Sequence, residues 1–158
     1  MMAQTSNSKT ILVVEARYYN KVSDNIVAGA TPLFEEADFA IERLPVTGVL
    51  KCMLPVKWLC RQALGTHIAS TLELWRLGCV IRGETDHYDH ICREASRALM
   101  EITVDHCFPL GFAILTCENM QQAEVRADPK KKNKGAEAAR AVLRMIELRR
   151  HFQGRDNA

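Results

Sequence analysis

The stretch LGCVIRGETDHYDH, Leu77 to His90, changes its periodicity halfway along. Leu77 to Ile81 is a continuous apolar run, as a strand covered on both faces requires. Arg82-Gly83 interrupts the run, and from Thr85 onward the apolar positions fall at helical spacing. A strand that passes through a glycine turn straight into a helix is half of a βαβ unit. It leaves the unpaired amides of the helix's first turn at the carboxyl edge of a sheet.

Working outward, Lys9 to Glu15 (KTILVVE) reads as a second fully covered strand, ending at Arg17-Tyr18-Tyr19-Asn20. Val22, Ile26, Ala30 and Leu33 recur at helical spacing, and Phe39 to Val46 gives another strand before Thr47-Gly48. Met53 to Leu64 reads as a helix with Pro55 in its first turn, where a missing N–H is harmless, and Gly65 ends it. Thr71 to Val80 is then a strand and Thr85 to Val104 a long helix turning Ile91, Ala95, Ala98, Leu99 and Ile102 inward. Pro109 to Thr116 follows as the fourth strand, with helices over Glu118 to Ala127 and Gly135 to Phe152. This alternation predicts an α/β fold, a four-stranded parallel sheet with helices on both faces and right-handed crossovers. Asp128 to Lys134 (DPKKKNK) reads as a solvated connection. With no internal repeat, residues 9–154 form one domain between a terminal segment, 1–8, and a tail, 155–158.

Composition sets the limits. The chain's 158 residues, 47% of them hydrophobic, suffice for one real core. A near balance of 21 basic and 19 acidic side chains supplies no broad basic face for nucleic acid. The N-terminus lacks the apolar core of a signal peptide, and no run approaches the roughly 18 apolar residues of a membrane span. A soluble, cytoplasmic chain without membrane contact is expected. The six cysteines form no CxxC pair, so buried free thiols are expected.

In an open parallel sheet, ligands sit at the carboxyl ends of the strands, here Tyr18, Gly48 to Lys51, Cys79 to Thr85 and Phe112. The amides of Glu84, Thr85 and Asp86 suit an anion such as phosphate, and the Thr85 hydroxyl adds to them; the plainer reading is that Thr85 caps the helix. His87, with an ordinary pKa of about 6.5, is the candidate proton carrier, against the alternative of a solvated surface group. Asp86, His87, Asp89, His90 and Cys92 are possible metal ligands, but no HExxH motif or second ligand pair completes a site, and no metal is expected. Tyr18 and Tyr19 either stack on a planar ring or close the core. Arg126 and Lys134 either reach an anion or remain solvated.

Together and in this order, VEARYYN (Val14 to Asn20), LGCVIRGETDHYD (Leu77 to Asp89), ILTCEN (Ile114 to Asn119), RAD (Arg126 to Asp128) and NKG (Asn133 to Gly135) resemble the 6,7-dimethyl-8-ribityllumazine synthase family. The resemblance covers nearly the whole chain. It implies a flavodoxin-like three-layer α/β/α subunit, assembling into pentamers or larger shells with active sites between neighbouring subunits, and no cofactor. The implied reaction condenses 5-amino-6-ribitylaminouracil with 3,4-dihydroxy-2-butanone 4-phosphate. By position, Tyr18 takes the place of the aromatic that stacks on the pyrimidine, and Cys79, Val80 and Ile81 offer it main-chain contacts. Phe112 closes the pocket from the adjoining subunit, and Lys134 comes close to the ring. Glu84, Thr85 and Arg126 hold the phosphate, and His87 moves protons.

One segment departs from the pattern. Where the family has VPGAxEIP, this chain reads Val46-Thr47-Gly48-Val49-Leu50-Lys51-Cys52-Met53. The ribityl wall is then Val49, Leu50 and Lys51, and Lys51 only donates hydrogen bonds where the family's glutamate accepts them from ribityl hydroxyls. Trp58, Trp75 and Arg76 are also atypical, and Arg76 on a central strand needs a partner or an exposed rim. Two readings stand: a divergent working synthase, or a subunit whose residues 47–76 have drifted or been redesigned so that assembly outlives catalysis. A flavodoxin-like flavin or nucleotide binder is disfavoured, because ARYYN is neither glycine- nor hydroxyl-rich.

Overall fold

A computed structural model of the chain describes residues 9–63 and 72–155. The elements run β1 (Lys9–Ala16), α1 (Asn20–Glu36), β2 (Phe39–Val46), a 3-10 turn (Leu50–Cys52), α2 (Met53–Ala63), β3 (Leu72–Ile81), α3 (His87–His106), β4 (Leu110–Cys117), α4 (Met120–Ala127) and α5 (Lys134–Arg155). All strand pairings are parallel, in the order β2-β1-β3-β4. The anticipated helix end at Leu64 and Gly65, the strand start at Thr71, segment 1–8 and positions 156–158 lie outside the described residues.

Covered strands explain the layering. Ile11 and Val13 of β1 join Trp75, Leu77 and Cys79 of β3 in a core sealed by α1, α4 and α5. Leu12 and Val14 point to the opposite face, where Cys52, Val56, Ala95 and Leu99 build a second core under α2 and α3. The result is the expected three-layer α/β/α arrangement. In edge strand β2 only Phe39 is fully buried, consistent with its polar Glu42-Arg43 centre.

Local chemistry shifts some boundaries. α3 begins at His87 rather than Thr85, because Thr85 and Asp86 remain in the turn, with Asp86 at the N-cap. The helix ends at Cys107, whose left-handed φ of 48° stops it. On the opposite face α1 and α5 meet closely: a Cβ on Gly135 would lie 2.1 Å from the Ile26 carbonyl oxygen. Asn133 caps α5 there, its Oδ1 accepting from the Ala136 N–H at 3.1 Å. Cys52, Cys79 and Cys117 are buried free thiols as anticipated, whereas Cys92 is half-buried and Cys107 is exposed at the helix stop. The side chain of Cys60 lies outside the described residues.

Candidate active site

The sheet's topology reverses between β1 and β3, where the chain winds outward in both directions, and a ligand crevice is expected there. A cavity of about 310 Å³ opens at this place. Tyr18 and Tyr19 beyond β1, Gly48 and Val49 beyond β2, Cys79, Val80 and Ile81 at the end of β3, and Thr85 and His87 at the head of α3 all line it.

The two tyrosines divide the roles that the sequence left open. Tyr19 packs against the core beneath α1, and burial raises its pKa. Tyr18 is 77% exposed and meets Tyr19 edge-on, ring centroids 4.9 Å apart, leaving a face free for a planar ligand. Cys79 is no nucleophile: burial pushes its thiol up to about 12, so it stays protonated. What it offers a ligand is its backbone.

The turn after β3 is clamped by Arg82. Its N–H bonds the Cys117 carbonyl oxygen at 2.9 Å, and its guanidinium grips Asp89 of α3 through two bonds of 2.8 and 3.0 Å. It also reaches Glu118 at 2.9 Å and lies over the Tyr88 ring, 4.1 Å from the centroid. The first turn of α3 is thus held against the ends of β3 and β4. Thr85 Oγ1 accepts the His87 N–H at a long 3.4 Å, while the amides of Glu84, Thr85 and Asp86 have no acceptor among the described residues. That arrangement suits an anion. His90 pairs with Asp86 at 3.3 Å, leaving His87 as the histidine on the cavity wall.

Phe112, Arg126 and Lys134 are gathered elsewhere, in a separate cleft of about 320 Å³ that also includes Thr116 and Glu137. Phe112 stands 43% exposed on edge strand β4, Arg126 donates to the Gln122 carbonyl oxygen at 3.2 Å, and Lys134 pairs with Glu137. No residue lines both this cleft and the first cavity. Lys51 lines a third hollow, an open groove of about 860 Å³ with Arg17 and Thr47, which joins the first cavity through Tyr18 and Gly48. Leu50 and Glu84 are exposed in the turns carrying Lys51 and Thr85.

Ile91 and Tyr88 escaped the sequence reading as site residues, and Arg82, inside the Cys79 to Thr85 rim, was not read as a clamp. Ile91 was legible only as an inward position; one turn beyond His87, it shares the cavity-facing side of α3. The Arg82 clamp carries no sequence signal, because ion pairs across a turn follow no helical spacing, and Tyr88 enters with it, its ring under the Arg82 guanidinium.

Comparison with known proteins agrees with this fold. The 6,7-dimethyl-8-ribityllumazine synthase family profile matches residues 8–150. Among the relatives is a 6,7-dimethyl-8-ribityllumazine synthase of Paramagnetospirillum magneticum, 38% identical over 143 residues, covering 90% of this chain and 95% of that one. The protein of the same name from Methylocella silvestris is 40% identical over 149 residues, covering 93% and 89%. That of Methylobacterium radiotolerans is 42% identical over 144 residues, covering 91% and 84%. Fold, crevice and these likenesses converge, and the chain belongs to the 6,7-dimethyl-8-ribityllumazine synthase family.

Proposed function

We propose that this chain acts in riboflavin biosynthesis, condensing 5-amino-6-ribitylaminouracil with 3,4-dihydroxy-2-butanone 4-phosphate to 6,7-dimethyl-8-ribityllumazine, as a transferase. One observation carries the reading: the residues expected at the site fall into two half-sites. Tyr18, Val49, Cys79 to Ile81, Thr85 and His87 surround the first cavity, while Phe112, Arg126 and Lys134 line the other cleft. Two such halves suit a site completed by a neighbouring copy, in a cytoplasmic homo-oligomer of five or more subunits. No helix among the described residues is long and apolar enough to cross a membrane. Small molecules, rather than nucleic acid, are the partners, and the chemistry calls for no cofactor or metal.

In this reading the uracil lies on Tyr18, with its edge toward the backbone of Cys79, Val80 and Ile81. Phosphate sits on the free amides and hydroxyl at Glu84-Thr85, with Arg126 of the neighbour completing its charge balance. The 5-amino nitrogen attacks the ketone and water leaves, giving an imine. Phosphate then departs as a proton is lost from the adjacent carbon. The resulting enol returns to a ketone, and the ribitylamino nitrogen attacks that carbonyl, closing the ring with loss of a second water. Each step moves a proton near the head of α3, which is the work assigned to His87. The remaining rate enhancement comes from holding the two substrates together.

Lys51 favours the second reading, a subunit that assembles but turns over poorly, because an ammonium cannot accept hydrogen bonds from ribityl hydroxyls. Turnover followed by lumazine absorbance tests both readings. His87→Ala is expected to lower kcat by about a hundred-fold or more. Lys51→Glu is expected to lower KM for the uracil. A His87→Ala chain at full rate removes His87 from its role, and an inert chain rescued by Lys51→Glu shows that the impaired-subunit reading is the right one.

A further inference from the structure

Five buried side-chain atoms lack a hydrogen-bond partner among the described residues: Glu73 Oε2, Trp75 Nε1, Arg76 Nε and Nη2, and Arg149 Nε. All but the last belong to β3 between Glu73 and Arg76, and Arg149 is the partner of Glu73. Glu73, Trp75 and Arg76 are each 0% exposed. Arg76 makes one bond, to the Cys52 carbonyl oxygen at 2.9 Å, with the rest of its guanidinium unsatisfied, so neither the rim nor the full partner it requires is present. At the other end of the same stretch Leu54 and Trp58 are 57% and 60% exposed on α2. What sets the segment apart is unpaired buried polarity: Glu15, the buried charge on β1, is fully engaged by Arg17 and Arg43, whereas the partnerless buried atoms among the described residues fall on Glu73, Trp75, Arg76 and the Arg149 that meets Glu73.

We infer that Lys51 to Arg76 is translated in a reading frame displaced by one base from that of its flanks. The flanking frame then encodes an uncharged β3 and a hydrogen-bond-accepting ribityl wall. Loss of one base at codons 50 and 51, balanced by gain of one near codons 76 and 77, produces this change without altering the length. In the frame one base earlier, each codon consists of the last base of the preceding codon and the first two bases of its own. On β3 the outcomes at 75 and 74 are then forced whatever synonymous codons are used, and those at 76 and 73 depend on the codon. Trp75 is UGG, so position 75 becomes NUG: leucine, valine or methionine. Position 76 takes G from UGG and becomes alanine when Arg76 uses a CGN codon. Position 74 takes A or G from Glu73 and becomes alanine, threonine, valine or isoleucine. Position 73 becomes glycine for a Leu72 codon ending in G. With a Leu72 codon ending in G and a CGN codon for Arg76, every unsatisfied buried group on β3 disappears at once.

The upstream end changes in step. When the Leu50 codon ends in G, position 51 reads GAA, glutamate, and position 52 becomes methionine or valine. An acceptor followed by an apolar residue replaces Lys51-Cys52, matching the pattern from which this chain departs. Position 54, fed by the G of Met53, becomes alanine or valine, and position 58 becomes methionine or valine, removing the exposed Leu54 and Trp58. A random protein sequence has no reason to become physically sound at both ends under one displacement.

Only the role of position 51 is taken from the proposed function; the argument on β3 is independent of it. The test is to sequence the coding DNA and to compare the present chain with one carrying the displaced-frame translation of 51–76. The displaced frame is expected to run without a stop codon, with glutamate at 51 and alanine at 76. The replaced chain is expected to melt higher and to form lumazine at least about ten-fold faster, since its wall can accept hydrogen bonds. A stop codon in that frame, or a glutamate codon at 76, overturns the inference, as does a replaced chain that melts no higher than the present one. A replaced chain that melts higher yet forms no lumazine supports the displaced frame and removes the functional reading instead.

Discussion

Glu73 shows what one buried side chain does to this sheet. Its carboxyl moves from an ordinary 4.5 up to about 7, because burial in β3 outweighs the opposing pull of Arg149 and Arg150. Between those values the folded chain holds a proton that the unfolded chain has released. The stability tied to this group is therefore complete below pH 4.5 and lost as pH rises to about 7. Denaturation followed across this window is expected to show the melting temperature falling with rising pH, and Glu73→Gln to flatten that slope. An unchanged slope in the variant would assign it to another group. The charge was visible in the sequence, but its burial was not, since LELWR lacks the apolar continuity by which Leu77 to Ile81 declared itself covered.

Between elements, the tightest constraint is where α1 meets the head of α5. A methyl group on Gly135 would collide with the Ile26 carbonyl, a backbone atom that no rotamer change can move. Gly135→Ala is expected to destabilise the chain by about 1–3 kcal/mol in urea denaturation, from overpacking. Gly83 is the control: nothing lies within 4 Å of a Cβ placed there, so Gly83→Ala should stay within about 0.5 kcal/mol. A Gly135→Ala chain as stable as the parent would mean that α5 can shift without cost. Most elements were legible because the sequence carried their periodicity; the two covered strands and the inward face of α3 read directly. The α3 start moved to His87 because hydroxyl and carboxylate residues suit both a cap and the turn before it. The clamp of Arg82 on Asp89 and Glu118 was invisible, since it joins three elements by a geometry that spacing does not encode.

At the scale of the molecule, the decisive fact is that the residues proposed for the site line two clefts of one chain with no lining residue in common. Sequence likeness named these residues and implied that Phe112 serves an adjoining subunit's pocket; what it left open is the distribution within one chain, which depends on where β4 and α4 place Phe112 and Arg126 relative to the β1–β3 crevice. If neighbouring subunits complete each other, then His87→Ala disables one half and Arg126→Ala the other. Each variant alone should be nearly inactive. Unfolding an equal mixture and refolding it together lets every site draw its halves independently, so about a quarter of the sites should combine two intact halves. Lumazine formation should recover toward that fraction, in the present chain or in a Lys51→Glu background where turnover is higher. Native mass measurement of the same mixture should show a ring of five or a multiple of it. If each chain instead completed its own site, refolding the variants together would recover no activity, and a monomeric mass would lead to the same conclusion by a second route.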